Sequence, residues 1–211
     1  MPVEPFSSFE PFGGDPPPDR LTGYLLVAAP RLTDPNFARR VVLVLDHGEP
    51  GALGVVLDRP GGVPVGELMP QWEGLATAPA ELFTGGPVGR HALIGLARLD
   101  GRASAAADAP GRPAGWRLLV DGDRPVGSVD LGADPAPMSA SLVGVRLFSG
   151  YAGWDTGQLE SEIAEGSWYI VRAEERDPLS ADPEGLWRRV LRRQGGALAL
   201  VSGYPEDPAL N

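Results

Sequence analysis

"VVLVLDHGEPGALGVVLDR", residues 41–59, is the stretch whose reading decides the fold. Two apolar runs, 41–47 and 52–59, flank Gly-Glu-Pro-Gly. β-Branched runs separated by a few turn-forming residues predict two strands joined by a hairpin-like connection. Just upstream, "YLLVAA" (24–29) is continuously apolar, as a strand buried on both faces would be. Between them, "TDPNFARR" (33–40) offers Asp34 as an N-cap and Pro35 at a first helical position, which predicts one or two turns of helix.

The same signals continue outward. "VPVGELM" (63–69) predicts a short helix before Pro70, and "ELFTGGPV" (81–88) with "HALIGLARL" (91–99) predicts a strand pair around a Gly-Gly-Pro turn. "WRLLV" (116–120), "SVDL" (128–131), "SLVGVRLFSG" (141–150) and "SWYIVRA" (167–173) read as further strands. Asp155 or Thr156, with Gln158 completing a capping box, predicts a helix to about Glu165, stopped by Gly166. Asp182 and Pro183 open a last helix whose Leu186, Trp187, Val190 and Leu191 form one apolar face. Seven to nine strands and two to four helices that do not alternate regularly predict an α+β single domain. Its architecture is a large mixed, strongly curved β-sheet with a few flanking helices.

Composition narrows the function classes. The chain has 211 residues, 43% of them apolar, enough for one sizeable core. Its 18 basic residues are all arginine against 28 acidic ones, a net charge of −10, which disfavours nucleic acid and anionic membrane as partners. Arg188, Arg189, Arg192 and Arg193 form a helical stripe, read as a solvated face with carboxylate partners. With no cysteine, disulfides and thiol catalysis are excluded. Residues 1–20, with six prolines, read as a flexible tail rather than a secretory leader, and 100–115 as a mobile loop. No apolar run is long enough to span a bilayer, so a cytoplasmic protein is the expectation.

Three blocks, "GYLLVAAPRLTDPNFARRVVLVLDHGEPGALGVVLDRP" (23–60), "LFTGGPV" (82–88) and "SGYAGWDTGQLESEIAEGSWY" (149–169), together resemble the YqgE/AlgH family of bacterial proteins. The resemblance implies a compact domain with a complex mixed sheet, mostly cytoplasmic members, no settled biochemical activity and a historical label of putative transcriptional regulator. Asp155-Thr156 stands where relatives often have Gly-Pro.

The glycine-rich "FSGYAGWDTGQ" (148–158) reads as a loop leaving a strand and entering a helix N-terminus. Tyr151 or Trp154 could hold a small anionic or aromatic ligand there, against backbone N–H groups. The preferred alternative is that Trp154 fills a hole between sheet and helix while the glycines permit the turn. Any ligand site is expected around Gly85, Gly86, Tyr151, Gly153 and Trp154, with Asn36 and Arg59 nearby. His47 and His91 are the only histidines; Asp46 and His47 adjoin but point to opposite faces of a strand, and two histidines with scattered carboxylates give no ligand spacing, so no metal and no cofactor is expected. No G-x-S-x-G elbow, P-loop or dinucleotide fingerprint occurs, and Glu160, Glu162 and Glu165 are expected to be solvated. The leading expectation is a binding or regulatory protein acting through a protein partner or a small-molecule pocket. A hydrolase would instead require Ser149, His47 and a carboxylate to cluster. A DNA-binding regulator would depend on the 188–193 arginines.

Overall fold

The computed structural model describes residues 20–101 and 115–205. The expected N-terminal tail, apart from Arg20, therefore lies outside the described residues. So does the 100–115 loop, apart from Asp100, Gly101 and Gly115.

The strands are β1 (Tyr24–Ala28), β2 (Val41–Gly48), β3 (Gly51–Val56), β4 (Pro60–Pro64), β5 (Glu81–Thr84), β6 (Val88–Leu99), β7 (Arg117–Val120), β8 (Val126–Val129), β9 (Leu142–Trp154) and β10 (Trp168–Arg172). They lie in the order β10-β1-β2-β3-β9-β6-β8-β7, with β4 and β5 joined to it through β9. Every pairing is antiparallel except β5 with β9, so the sheet is mixed. It curls until β7 returns to the β1–β2 side. Arg117 Nη2 donates to the Leu45 carbonyl at 3.2 Å. Gly23 packs so closely on Leu119 that a Cβ there would lie 2.1 Å from its carbonyl oxygen.

The curl has one interior and two covered patches outside. Inside, Leu25, Val27, Leu43, Val55, Phe148, Leu96 and Val126, drawn from six strands, form one cluster. Helix α3 (Leu186–Arg193) closes it with Leu186, Trp187, Val190 and Leu191, all buried, as the sequence predicts. Trp187 also donates its indole N–H to the Ala28 carbonyl at 2.9 Å. Outside, α2 (Gln158–Ala164) lies over Val42, Val44, Trp154 and Trp168. Helix α1 (Val65–Leu68), a 3₁₀ turn at Pro70–Leu75 and the chain around Leu131–Met138 cover Val145, Leu147 and Leu99. A fourth helix, α4 (Gly196–Val201), follows α3 and was not expected.

Strand β9 is the axis of the architecture. Ser149 pairs with Thr84 of β5 on one edge and with Leu93 of β6 on the other. Strands β5 and β6 are therefore not the hairpin predicted for 81–99. The three residues between them, Gly85, Gly86 and Pro87, carry the chain across β9. The crossing is possible because it is made of glycines. A Cβ on Gly85 would lie 2.3 Å from the Gly150 carbonyl oxygen, and one on Gly86 2.2 Å from that of Tyr151. Gly150 has a second task. Val145 and Leu147 before it face the outer patch, and so do Ala152 and Trp154 after it. A strand alternates with period two, so one residue must drop out of phase. Gly150, at φ 73°, takes the left-handed conformation that does this.

Other expectations are corrected at element ends. "TDPNFARR" makes a single turn rather than a helix, with Phe37 and Ala38 N–H donating to the Asp34 carbonyl, before Arg39 turns out at φ 54°. Asp155 and Thr156 do not cap α2. Left-handed Gly157 precedes it, Thr156 Oγ1 donates to the Glu49 carbonyl, and only the Gln158 half of the capping box forms, accepting from Asp155 N–H at 3.1 Å. Asp182 accepts from Gly185 N–H, so α3 starts three residues later than read.

Candidate functional site

The quoted glycine-rich segment is strand, not loop, as far as Trp154. This separates the expected site residues. Trp154 faces outward, 6% exposed, stacked on Phe37 at 6.2 Å and edge-on to Trp168 at 6.1 Å. Its indole N–H donates to Glu162 Oε2 at 3.0 Å, and the Trp168 N–H donates to the same oxygen at 2.7 Å. Gln158 Nε2 donates to Glu162 Oε1 at 2.9 Å. Glu162 is thus the fixed acceptor between two indoles, not a solvated residue. Asn36 lies beside Phe37 in the same outer region, its backbone N–H donating to Asp34 Oδ1 at 2.7 Å.

Tyr151 packs on the interior side, half-buried, and its ring would meet a Cβ on Gly89 at 2.8 Å. Gly85 and Gly86 are brought against it by the crossing, as the expected constellation requires. Gly153 pairs with Leu53 and is exposed. Arg59 sits one strand further out; its carbonyl accepts from Thr84 N–H at 2.8 Å. The structure therefore gathers Arg59, Gly85, Gly86 and Tyr151 around the crossing. Asn36 and Trp154 belong to the α2 side.

The groups a hydrolase would need are separately engaged. His47 Nδ1 accepts from Leu21 N–H at 3.1 Å, and its Nε2 lies 2.8 Å from Glu160 Oε1. With both ring nitrogens occupied, His47 has none left for a serine. Ser149 Oγ donates to the Arg90 carbonyl. Glu160 is held below the usual carboxylate range by its own backbone N–H and by the His47 hydrogen bond. Among the described residues no three His, Asp or Glu side chains gather as a metal site would. The arginine stripe is largely spent within the fold. Arg193 grips Asp177 at 2.6 and 2.7 Å, Arg189 pairs with Asp182 at 2.7 Å, and Arg188 donates to the Ser202 carbonyl.

Two buried charges, Asp58 and Arg146, and one half-buried one, Arg98, escaped the sequence reading. Asp58 is 1% exposed; burial pushes its carboxyl up to about 7 against the pull of Arg40 and the Val41 N–H. Arg146 is 2% exposed, and burial, reinforced by repulsion from Arg98, pulls it down to about 10. Arg98, half-buried, is lowered chiefly by burial as well. The signal was present at Arg146, a charge at an inward position of an otherwise apolar strand.

Known proteins place this arrangement. A family model described as AlgH-like matches residues 25–199. A UPF0301 protein of Streptomyces avermitilis is 50% identical over 191 residues, covering 90% of this chain and 95% of the relative. One from Thermobifida fusca is 47% identical, covering 90% and 96%. The crystal structure of a Corynebacterium diphtheriae protein matches at TM-score 0.81 and 32% identity, over 92% of this chain and 97% of that one. The solution structure of the AlgH protein from Pseudomonas aeruginosa matches at 0.59 and 26%, over 90% and 97%.

Proposed function

The chain belongs to the AlgH-like family, and from that premise we propose that it is a binding or regulatory protein. Its binding surface is the sheet face where β4, β5, β9 and β6 lie side by side at the chain crossing. The observation that carries this is the outer half of β6. Residues 89–92 leave the ladder between Val88↔Tyr151 and Leu93↔Ser149, four residues of β6 facing one of β9. Val88 is 41% and Leu93 39% exposed there, beside exposed Arg90 and His91. Arg59, half-buried at the other side of the row, has no carboxylate partner among the described residues. Aliphatic side chains flanked by cations, on a protein of net charge −10, suit a partner segment that carries a carboxylate next to an apolar side chain. The dispersal of Ser149 and His47 supports binding over hydrolysis.

A photo-crosslinking amino acid at position 93, in bacterial cells expressing the protein, tests this, with position 200 as control. Leu200 is 81% exposed on α4, away from the crossing. A discrete adduct at 93, absent at 200 and lost in Arg59→Ala, is expected. Equal labelling at both positions would overturn the reading.

A further inference from the structure

The interior face of the curl carries two cations, Arg146 and Arg98, and among the described residues gives neither of them a carboxylate within 4 Å. Arg146 on β9 and Arg98 on β6 share its inward face, since Leu96 pairs with Arg146 and Arg98 lies two residues further on. Arg146 donates from Nη1 to the Ser180 carbonyl and from Nη2 to the Ala78 carbonyl, both at 2.8 Å, and its guanidinium lies 4.3 Å over the Phe83 ring. Arg98 donates from Nη2 to the Glu175 carbonyl at 3.0 Å. The Nε of each is buried without an acceptor. Among the described residues neither forms an ion pair within 4 Å; Glu81 and Glu175 act on them only at longer range.

One strap, residues 174–182, "EERDPLSAD", supplies a carbonyl to each of them. Its four carboxylates are all turned elsewhere. Glu174 and Asp177 bind Arg193, Asp182 binds Arg189, and Glu175 Oε2 accepts from the Arg124 backbone N–H at 2.7 Å. The strap presents only neutral carbonyls to the interior arginines. Two carbonyls can be satisfied by an amide side chain with no charge buried. Burying the Arg146 guanidinium, with half-buried Arg98 on the same face, costs desolvation and mutual repulsion that neutral acceptors do not offset. Arginine's planar fork is the group that suits an oxyanion with several oxygens.

We propose that the mouth of the curl beneath the 174–182 strap is a binding site for a phosphoryl group. Its oxygens replace the strap carbonyls of Glu175 and Ser180 on Arg98 and Arg146 and take up the two unused Nε–H donors. The strap opens as the ligand enters, and its carboxylates stay on Arg193 and Arg189. This site is independent of the β6 surface. It lies inside the sheet and shares no residue with it.

The test uses the full chain with inorganic phosphate as probe, and chloride at equal ionic strength as control. Phosphate is expected to raise the melting temperature saturably, and to speed amide hydrogen exchange in 174–182 while the rest of the sheet is slowed. Arg98→Gln removes both effects; because Arg98 is only half-buried, this variant folds even if Arg146→Gln does not. Equal melting temperatures in phosphate and chloride would overturn the proposal. So would a phosphate effect that survives Arg98→Gln, or strap exchange that phosphate leaves unchanged. Acetate serves as a further arm. Stabilisation by acetate as strong as by phosphate would replace the phosphoryl group by a carboxylate and so refute the assignment.

Discussion

Asp58→Asn should make this protein more stable at alkaline pH, although it deletes a charge next to an arginine. Asp58 lies 1% exposed, just beyond the end of β3. It accepts from Val41 N–H at 3.3 Å, while Arg40 spends Nη1 on the Asp58 backbone carbonyl rather than on the carboxylate. Burial outweighs both attractions and moves the carboxyl from 3.8 to about 7. The folded state therefore binds this proton more tightly than the unfolded chain. Stability is full below about pH 4, falls as pH rises towards 7, and is level above that. About three decades in the proton-binding constant, at roughly 1.4 kcal/mol each, give a penalty of about 4 kcal/mol for the ionised form. Asparagine has the same shape and keeps the acceptor for Val41 without the charge. Urea unfolding of both proteins from pH 3.5 to 9 measures the difference. The two should agree near pH 4 and diverge by a few kcal/mol at pH 8.5, reduced by what Arg40 loses in attraction. Arg40→Gln should steepen the wild-type fall. Parallel profiles for wild type and Asp58→Asn between pH 4 and 8 would refute the reasoning, because they would mean the carboxylate is ionised at no cost.

Glu162→Leu orphans two indole N–H groups at once and should cost about 2–4 kcal/mol by chemical denaturation, with a shift in tryptophan fluorescence; Glu162→Gln, which keeps an acceptor oxygen, should cost clearly less. Gly86→Ala drives a Cβ into the Tyr151 backbone and should cost more than 3 kcal/mol or abolish folding. Gly157→Ala, at φ 75° with no atom within 4 Å, should cost only about 1 kcal/mol, so similar melting temperatures for the two would contradict the crossing. Glu160 is lowered in the folded state, so the stability it contributes is present above its ordinary value near 4.5 and lost as pH falls through the folded value. Glu160→Gln should therefore flatten the acid limb of the stability profile below about pH 5.

Much of the strand content was legible because local chemistry decides it. The hairpin at 41–59, the 63–69 helix and the apolar face of the last helix follow from turn residues and periodicity, and all stand in the structure. The failures share a cause: they depend on what lies next to a segment, not within it. "ELFTGGPVGRHALIGLARL" looks like a hairpin until β9, which begins only at Leu142, is inserted between its arms. "SGYAGW" looks like a loop because its two glycines suggest bends, yet Gly150 is there for the approach of the Gly86 and Val88 carbonyls and for the change of pleat. The expected site was divided for the same reason. Tyr151 and Trp154 are three apart, odd spacing on a strand, and so project to opposite faces. Glu162 and Asp58 gave no signal, since a single carboxylate in sequence does not say whether indoles or solvent will surround it.

The position of β9 also sets a timetable for the growing chain. Until about residue 154 has left the ribosome, β3, β5 and β6 all lack a neighbour, and the interior has no middle strand. The first 140 residues cannot complete this sheet among themselves, because Gly85 and Gly86 pack on Gly150 and Tyr151, which are not yet made. Joining such distant segments is entropically slow. Synthesis therefore produces a lengthy interval with unpaired sheet edges, during which a nascent chain depends on whatever protects such edges in the cell.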